Sequence, residues 1–162
     1  MEIFATTLLI AGMIDDLRSQ KIHNKLILAL VAATLIFLTI NSGFAGIVSG
    51  GVSFLVALAF AVPLTLAKVL GGGDMKLFAV FGLATNIPAV LGVAVFSLFW
   101  GALLGVVRAG LGGQLKGLIL STTQLLWTKG EGHQAFRIPY SVALLLGWMT
   151  HLTLLHAGMS LW

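Results

Sequence analysis

Two acidic positions stand out in a chain that otherwise avoids charge. Asp15-Asp16 follows the first apolar run. Asp74 sits in Gly71-Gly72-Gly73-Asp74-Met75-Lys76-Leu77-Phe78, where three glycines release the chain from helix before a new apolar segment begins. Only 9% of the residues are charged, and a carboxylate at the lip of a hydrophobic segment costs free energy to place. Singly, each acid has a simple role: Asp74 would cap a helix after a glycine turn, and Asp16 would end a solvated helix beside Arg18. Together they offer a chemistry. Two carboxylates about 3 Å apart cannot both ionise and share one proton. The ionised one takes a proton from water while the protonated one donates to a peptide carbonyl oxygen. That is aspartyl proteolysis, and it needs both acids at one place with water in reach. Adjacent helical residues point about 100° apart, so only one of Asp15 and Asp16 can face Asp74. Spacing alone leaves open which.

Other chemistries find less support. There is no cysteine, which removes disulfides, thiolate nucleophiles and cysteine zinc sites together. The four histidines (His23, His133, His151 and His156) share no metal-binding spacing such as H-E-x-x-H. No metal and no cofactor are expected. His23 and His133 read as solvated loop residues, and Trp100, Trp127, Trp148 and Trp162 as interface or packing residues.

The elements that must position the acids follow from composition. The chain has 162 residues, 59% of them hydrophobic, and its mean hydropathy is +1.07. A soluble domain would carry about 25% charged residues, so the natural solvent for this chain is lipid. It reads as an all-α integral membrane protein, a single membrane-embedded domain over 1–162 with no separate soluble domain. Glu2 precedes the first apolar run and no lysine or arginine does, so no signal peptide is expected and Met1 onward reads as mature protein.

Six spans are expected in one bundle. The first is Ile3 to Ile14, too short for a ~30 Å core unless its helix includes the aspartates or the bilayer thins. Leu26 to Ile40 is closed by Asn41-Ser42-Gly43. The third runs from Ala45 to about Ala67, with Pro63 near its end. A short fourth, Met75 to about Ala84, is broken by Thr85-Asn86-Ile87-Pro88. Ala89 to Val107 and Ile138 to Met159 complete the set, the last with Pro139 in its first turn. Between these two lies the polar 108–137 region, within which Gly117 to Trp127 suits an interfacial helix. Gly46-x-x-x-Gly50 and Gly101-x-x-x-Gly105 have the spacing of close-packing faces, a weak signal among 20 glycines.

Charge sets the orientation. The connections 17–25, 68–73 and 108–137, with the start of span four, fall on one side. They hold all nine basic residues: Arg18, Lys21, Lys25, Lys68, Lys76, Arg108, Lys116, Lys129 and Arg137. Basic residues mark the cytoplasmic face, so both termini are expected outside. Asp16 and Asp74 then share the cytoplasmic rim. The net charge of +4 is explained by this bias, and no nucleic acid partner is expected.

Here the residues reach a resemblance. Asp16-Leu17-Arg18-x-x-x-Ile22-His23-Asn24 resembles the first signature of the type IV prepilin peptidases, an aspartate followed by Ile-Pro-Asn. Gly71-x-Gly73-Asp74-Met75-Lys76-Leu77 is similar to their second, GxGD followed by a lysine. Arg137-Ile138-Pro139-Tyr140 resembles a third recurring feature. The resemblance implies that Asp16 and Asp74 are catalytic, with Gly71, Gly73, Lys76, Asn24, Pro139 and Tyr140 supporting loops and substrate. Two positions depart from the pattern: His23 stands where proline is usual, which relaxes the turn and admits pH sensitivity, and Ser141 where glycine is common. Neither is expected to touch the acid chemistry.

Larger relatives carry a cytoplasmic region with paired CxxC motifs and also N-methylate the product. This chain is similar instead to the small peptidase-only branch that serves tight-adherence (Flp-type) pili, with no methyltransferase domain. Archaeal preflagellin peptidases share the two aspartates, but the Ile-Pro-Tyr feature favours the bacterial branch. The implied activity is a membrane-embedded aspartic endopeptidase of the bacterial cytoplasmic (inner) membrane. It would remove the short basic leader of prepilins or pseudopilins after a glycine at the membrane boundary, with Asp15 or Glu131 helping the basic leader to approach. The main alternative is a small ion- or proton-coupled transporter with the two aspartates as its ion site, which would call for polar residues near the midplane beyond Ser53, Thr65 and Ser97. A non-catalytic subunit of a secretion machine is a third. The oligomeric state is not written in the sequence.

Overall fold

Leucine, alanine, valine and isoleucine dominate every apolar run, and these runs fold as helices, which satisfy their own backbone polar groups where water is absent. The computed structural model describes residues 1–19, 22–67, 69–111 and 140–158. Five helices are found there, with no strand among the described residues: α1 (Glu2–Ser19), α2 (Asn24–Leu66), α3 (Gly72–Ala84), α4 (Ile87–Leu111) and α5 (Tyr140–His156). The 117–127 segment expected as an interfacial helix, like the rest of 112–139, lies outside the described residues, as do Trp127 and Trp162.

Helix α1 settles how a short apolar run is extended. Its 18 residues cover about 27 Å, and it does so by continuing through Asp15 and Asp16. Glu2 in the first turn and Arg18 in the last have the signs that the helix dipole favours.

Helix α2 has 43 residues, which as a straight rod would reach about 65 Å, twice the thickness of a bilayer core. It is not straight. Gly43 has φ 60° and ψ −151°, a conformation that costs little only without a Cβ. The chain doubles back there: a methyl group on Gly50 would lie 3.1 Å from the Leu38 side chain, although twelve residues along a rod span about 18 Å. The expected second and third spans are therefore the two limbs of one helix, 24–42 and 44–66. The break expected over 41–44 narrows to Gly43, where two helical limbs meet at a kink.

Helix α3 is the centre. It has 13 residues, about 20 Å, and everything from Leu77 to Ala84 is buried. A helix apolar all round belongs inside protein, and α3 touches all four other helices. Small residues bring α2 against it. A methyl on Gly82 would sit 2.8 Å from both the Ser53 carbonyl oxygen and the Ala57 Cβ, and one on Gly50 would strike the Leu83 carbonyl. Phe81 meets Trp148 edge to face at 5.1 Å.

The remaining helices close the bundle. Asn86 Oδ1 accepts the Ala89 N–H at 3.0 Å, so the Thr85-Asn86 break is the capped start of α4. Pro88 falls in its first turn, where no helical hydrogen bond is lost. Helix α5 packs on α4 through Gly147, whose methyl would lie 2.8 Å from the Ser97 nitrogen, and through Trp100 Nε1–H donating to Thr150 Oγ1 at 2.9 Å. Trp148 Nε1–H donates to Thr6 Oγ1 of α1 at 2.8 Å. Both tryptophans are packing residues, as expected. Of the two glycine pairs, Gly50 makes a close contact with α3 and Gly101 with the Tyr140 ring.

The exterior is apolar. Ile3 is 85% exposed, and Phe44 and Leu66 are each 79% exposed. Helix α2 and residues Ile87–Val107 of α4 are long and apolar enough to cross a membrane. Large apolar patches of this kind suit a lipid solvent and not water.

Candidate active site

The two motif segments, about fifty residues apart in sequence, meet at one end of the bundle. Gly73 has no side chain because Ile22 occupies the place: a methyl there would lie 3.1 Å from Ile22 Cβ and 3.4 Å from its backbone nitrogen. One turn further on, Lys76 Nζ–H donates to Asn24 Oδ1 at 2.8 Å. The loop after α1 and the first turn of α3 are thus joined by an apolar contact and a charge-assisted hydrogen bond.

Asp74 opens α3 but does not cap it. The N-cap is Gly71, with φ −73° and ψ 147°, and Asp74 is the third helical residue. This corrects the capping role expected from sequence. The carboxylate folds back over Gly71, so that a methyl there would lie 2.7 Å from Asp74 Oδ2. Gly71 is therefore small for the carboxylate's sake. The first turn of a helix also favours a negative charge, and Asp74 is only 9% exposed.

Helix α1 brings its acid to the same level. A methyl on Gly12 would sit 2.6 Å from Leu77 Cδ2, while Ile22 meets Gly73, so α1 and α3 run antiparallel. From the Gly12–Leu77 contact, Asp16 lies four residues further along α1, about 6 Å, and Asp74 three residues back along α3, about 4.5 Å. The aspartates are level along the bundle to within about 2 Å. Spacings of i,i+4 and i,i+3 keep each on the side of its helix that faces the other.

The structure also separates Asp15 from Asp16. Asp15 turns outward to His23: Oδ2 accepts the His23 backbone N–H at 2.8 Å, and its oxygens lie 3.0 Å from His23 Nδ1. Asp16 turns inward, is 8% exposed, and accepts the Ser141 hydroxyl on Oδ2 at 2.6 Å. One expectation is corrected here: Ser141 touches a candidate acid directly. His23, though exposed, is the N-cap of α2 and is held by Asp15, so the Asp15 carboxylate is already engaged.

Tyr140 sits beside these groups. Its ring lies against Gly101, and its hydroxyl is 3.0 Å from Ser97 Oγ. Ser97 Oγ donates its single hydrogen to the Ala94 carbonyl at 3.0 Å, so the Tyr140 O–H is the donor to Ser97. Of the site residues expected from sequence, Asp16, Asp74, Gly71, Gly73, Lys76, Asn24 and Tyr140 gather at this end of the bundle. Pro139 lies outside the described residues. Ser141 and Gly12 were not anticipated as part of the site, although a serine directly after the Pro-Tyr pair was visible.

Comparison with known proteins identifies the family. The model of the type IV leader peptidase family matches residues 3–106, which include both aspartates and both motif loops. The chain belongs to the type IV leader peptidase family. Among curated relatives, this leader peptidase family member is similar to the "Prepilin leader peptidase/N-methyltransferase" of Bacillus subtilis (strain 168), with 34% identity over 102 residues. The aligned part is 61% of this chain and only 40% of that relative's length. No solved structure matches the chain significantly. Helix α5, with Tyr140 and Ser141, lies beyond the matched segment.

Proposed function

We propose that this chain is a membrane-embedded aspartic endopeptidase that removes the short basic leader of prepilin-like substrates, with Asp16 and Asp74 as its dyad. The observation that carries the reading is the antiparallel α1–α3 pair, which holds the two carboxylates level on facing sides, at the end of the bundle where the motif loops meet. In this reading the dyad holds one proton. The ionised carboxylate removes a proton from water as the water oxygen attacks the scissile carbonyl carbon. The other donates its proton to the carbonyl oxygen, giving a tetrahedral diol. Return of a proton to the amide nitrogen breaks the C–N bond and releases the leader as an acid and the mature chain as an amine.

The finer reading places six spans in the bacterial cytoplasmic membrane, with both limbs of α2 crossing it and both termini outside. The whole of 1–162 serves as one peptidase domain. Arg18, Lys25 and Lys76 cluster at the dyad end, which would be the cytoplasmic rim, and a prepilin's scissile bond lies at that depth. The transporter reading would call for polar groups turned inward near the midplane, whereas Ser53, Thr65 and Ser97 each donate to carbonyls of their own helices.

The test is cleavage of a prepilin in membranes by wild type, Asp16→Asn and Asp74→Asn. Each single substitution is expected to reduce cleavage at least a thousandfold while the protein still accumulates. Full processing by either one would remove the dyad from consideration.

A further inference from the structure

We infer that Ser141 is a positioning residue for the Asp16 carboxylate, one that fixes the direction in which it addresses water. The inference rests on the dyad reading above and adds a third member to it, from a part of the chain beyond the segment shared with the family.

Three observations carry it. The first is the bond itself. Ser141 is fully buried, and its hydroxyl donates to Asp16 Oδ2 at 2.6 Å, the length of an O–H···O⁻ bond to a charged acceptor. Thr34, Ser53 and Thr65 all return their hydroxyl hydrogens to a carbonyl four residues earlier in their own helices. Ser141 sends its single hydrogen across to α1 instead.

The second is need. Asp16 lies in the last turn of α1, where the negative end of the helix dipole opposes a carboxylate, whereas Asp74 enjoys the positive end of α3. Ser141 lies in the first turn of α5, so its hydroxyl and the positive end of that helix supply what α1 withholds. The third is rigidity. Tyr140, one residue before, is pinned to α4 by Gly101 and Ser97, so the first turn of α5 cannot swing the hydroxyl away.

The charged groups nearby are these, among the described residues. Asp74 on α3 and Tyr140 on α5 face the site. Asp15 is paired with His23 and Lys76 with Asn24, while Arg18 and Lys25 are exposed. With Oδ2 held by Ser141, the carboxylate plane is fixed, and with it the approach of water to Oδ1. Removing the hydroxyl frees the carboxylate to rotate, and a water on Oδ1 loses its aligned approach to the scissile carbonyl.

The experiment is the kinetics of prepilin cleavage in membranes by wild type, Ser141→Ala, Ser141→Gly, Ser141→Thr, Asp16→Asn and Asp74→Asn. Alanine and glycine both delete the hydroxyl but differ in packing and helix propensity, so a loss common to them reports the hydrogen bond. Both are expected to lower kcat roughly tenfold, the loss of one hydrogen bond to a charged group, with KM little changed. Ser141→Thr, which keeps the hydroxyl, should recover most of the lost kcat. If kcat is unchanged in both deletions, or threonine recovers none of the loss, while the two asparagine variants are inactive, the inference is wrong and the dyad stands. If the asparagine variants cleave normally, the dyad itself is wrong.

Discussion

Gly73 does more than loosen a turn. Ile22 rests where its side chain would be, and the contact registers the loop carrying Asn24 against the helix carrying Asp74. Gly73→Val is therefore expected to push the loops apart and abolish prepilin cleavage while the protein still inserts and accumulates. Retained activity would show that the contact is incidental. His23 makes the opposite case. Its φ of −71° and ψ of 135° already suit proline, whose ring fixes φ near −65°. His23→Pro gives up the hydrogen bonds to Asp15, which lie at an exposed site and are worth about 1 kcal/mol or less. It should leave cleavage within about twofold of wild type, and a large loss would give the Asp15–His23 pair a role in the reaction. Such details were only half legible in the sequence. The motifs named Asp16, Asp74 and the glycines, and spacing restricted the partner to one of Asp15 and Asp16. No local pattern could announce that a serine 125 residues away would bond to Asp16, because that depends on how α5 docks.

At the scale of elements, α3 and the second limb of α2 set how closely the bundle packs. Glycine spacing in the sequence pointed to Gly46 and Gly50, but the closest approaches also involve Gly82 and Gly147, which belong to no regular repeat. What makes a glycine matter is the neighbour it meets, and composition does not contain the neighbour. Gly82→Ala would place a methyl 2.8 Å from the Ser53 carbonyl oxygen, a backbone atom that cannot step aside alone. It should destabilise the protein by about 1–3 kcal/mol. Gly51→Ala has nothing within 4 Å, and there the helix propensity of alanine should stabilise by up to about 1 kcal/mol. Thermal unfolding of the two variants in the same detergent reads the difference. Equal unfolding temperatures would mean that α2 and α3 do not pack as described. The two limbs of α2 were legible from the apolar runs and the polar Asn41-Ser42-Gly43 between them, whereas the survival of helical geometry up to Gly43 on both sides was not.

At the scale of the molecule, the distribution of charge and the placement of the dyad make a single claim about sidedness. Lys76 and Asn24 are bonded to each other, which puts the starts of α2 and α3 at one end, together with Arg18 at the close of α1. Glu2 and His156 approach within 3.8 Å, which puts the start of α1 and the end of α5 at the other. Gly43 must lie at that second end, since the first limb of α2 leaves from the first. In the proposed topology the positive-inside bias would put the first end in the cytoplasm, where a basic prepilin leader would also be. The native chain has no cysteine, so single cysteines can be introduced on a clean background. Lys25 and Asn41 are both exposed and close the two ends of one limb. In intact cells a membrane-impermeant maleimide should label Asn41→Cys and spare Lys25→Cys, and in inverted membrane vesicles the pattern should reverse. Labelling of Lys25→Cys from outside would place the two aspartates on the wrong face for a leader held in the cytoplasm, and the proposed substrate would have to be abandoned even if the carboxylates prove to be catalytic.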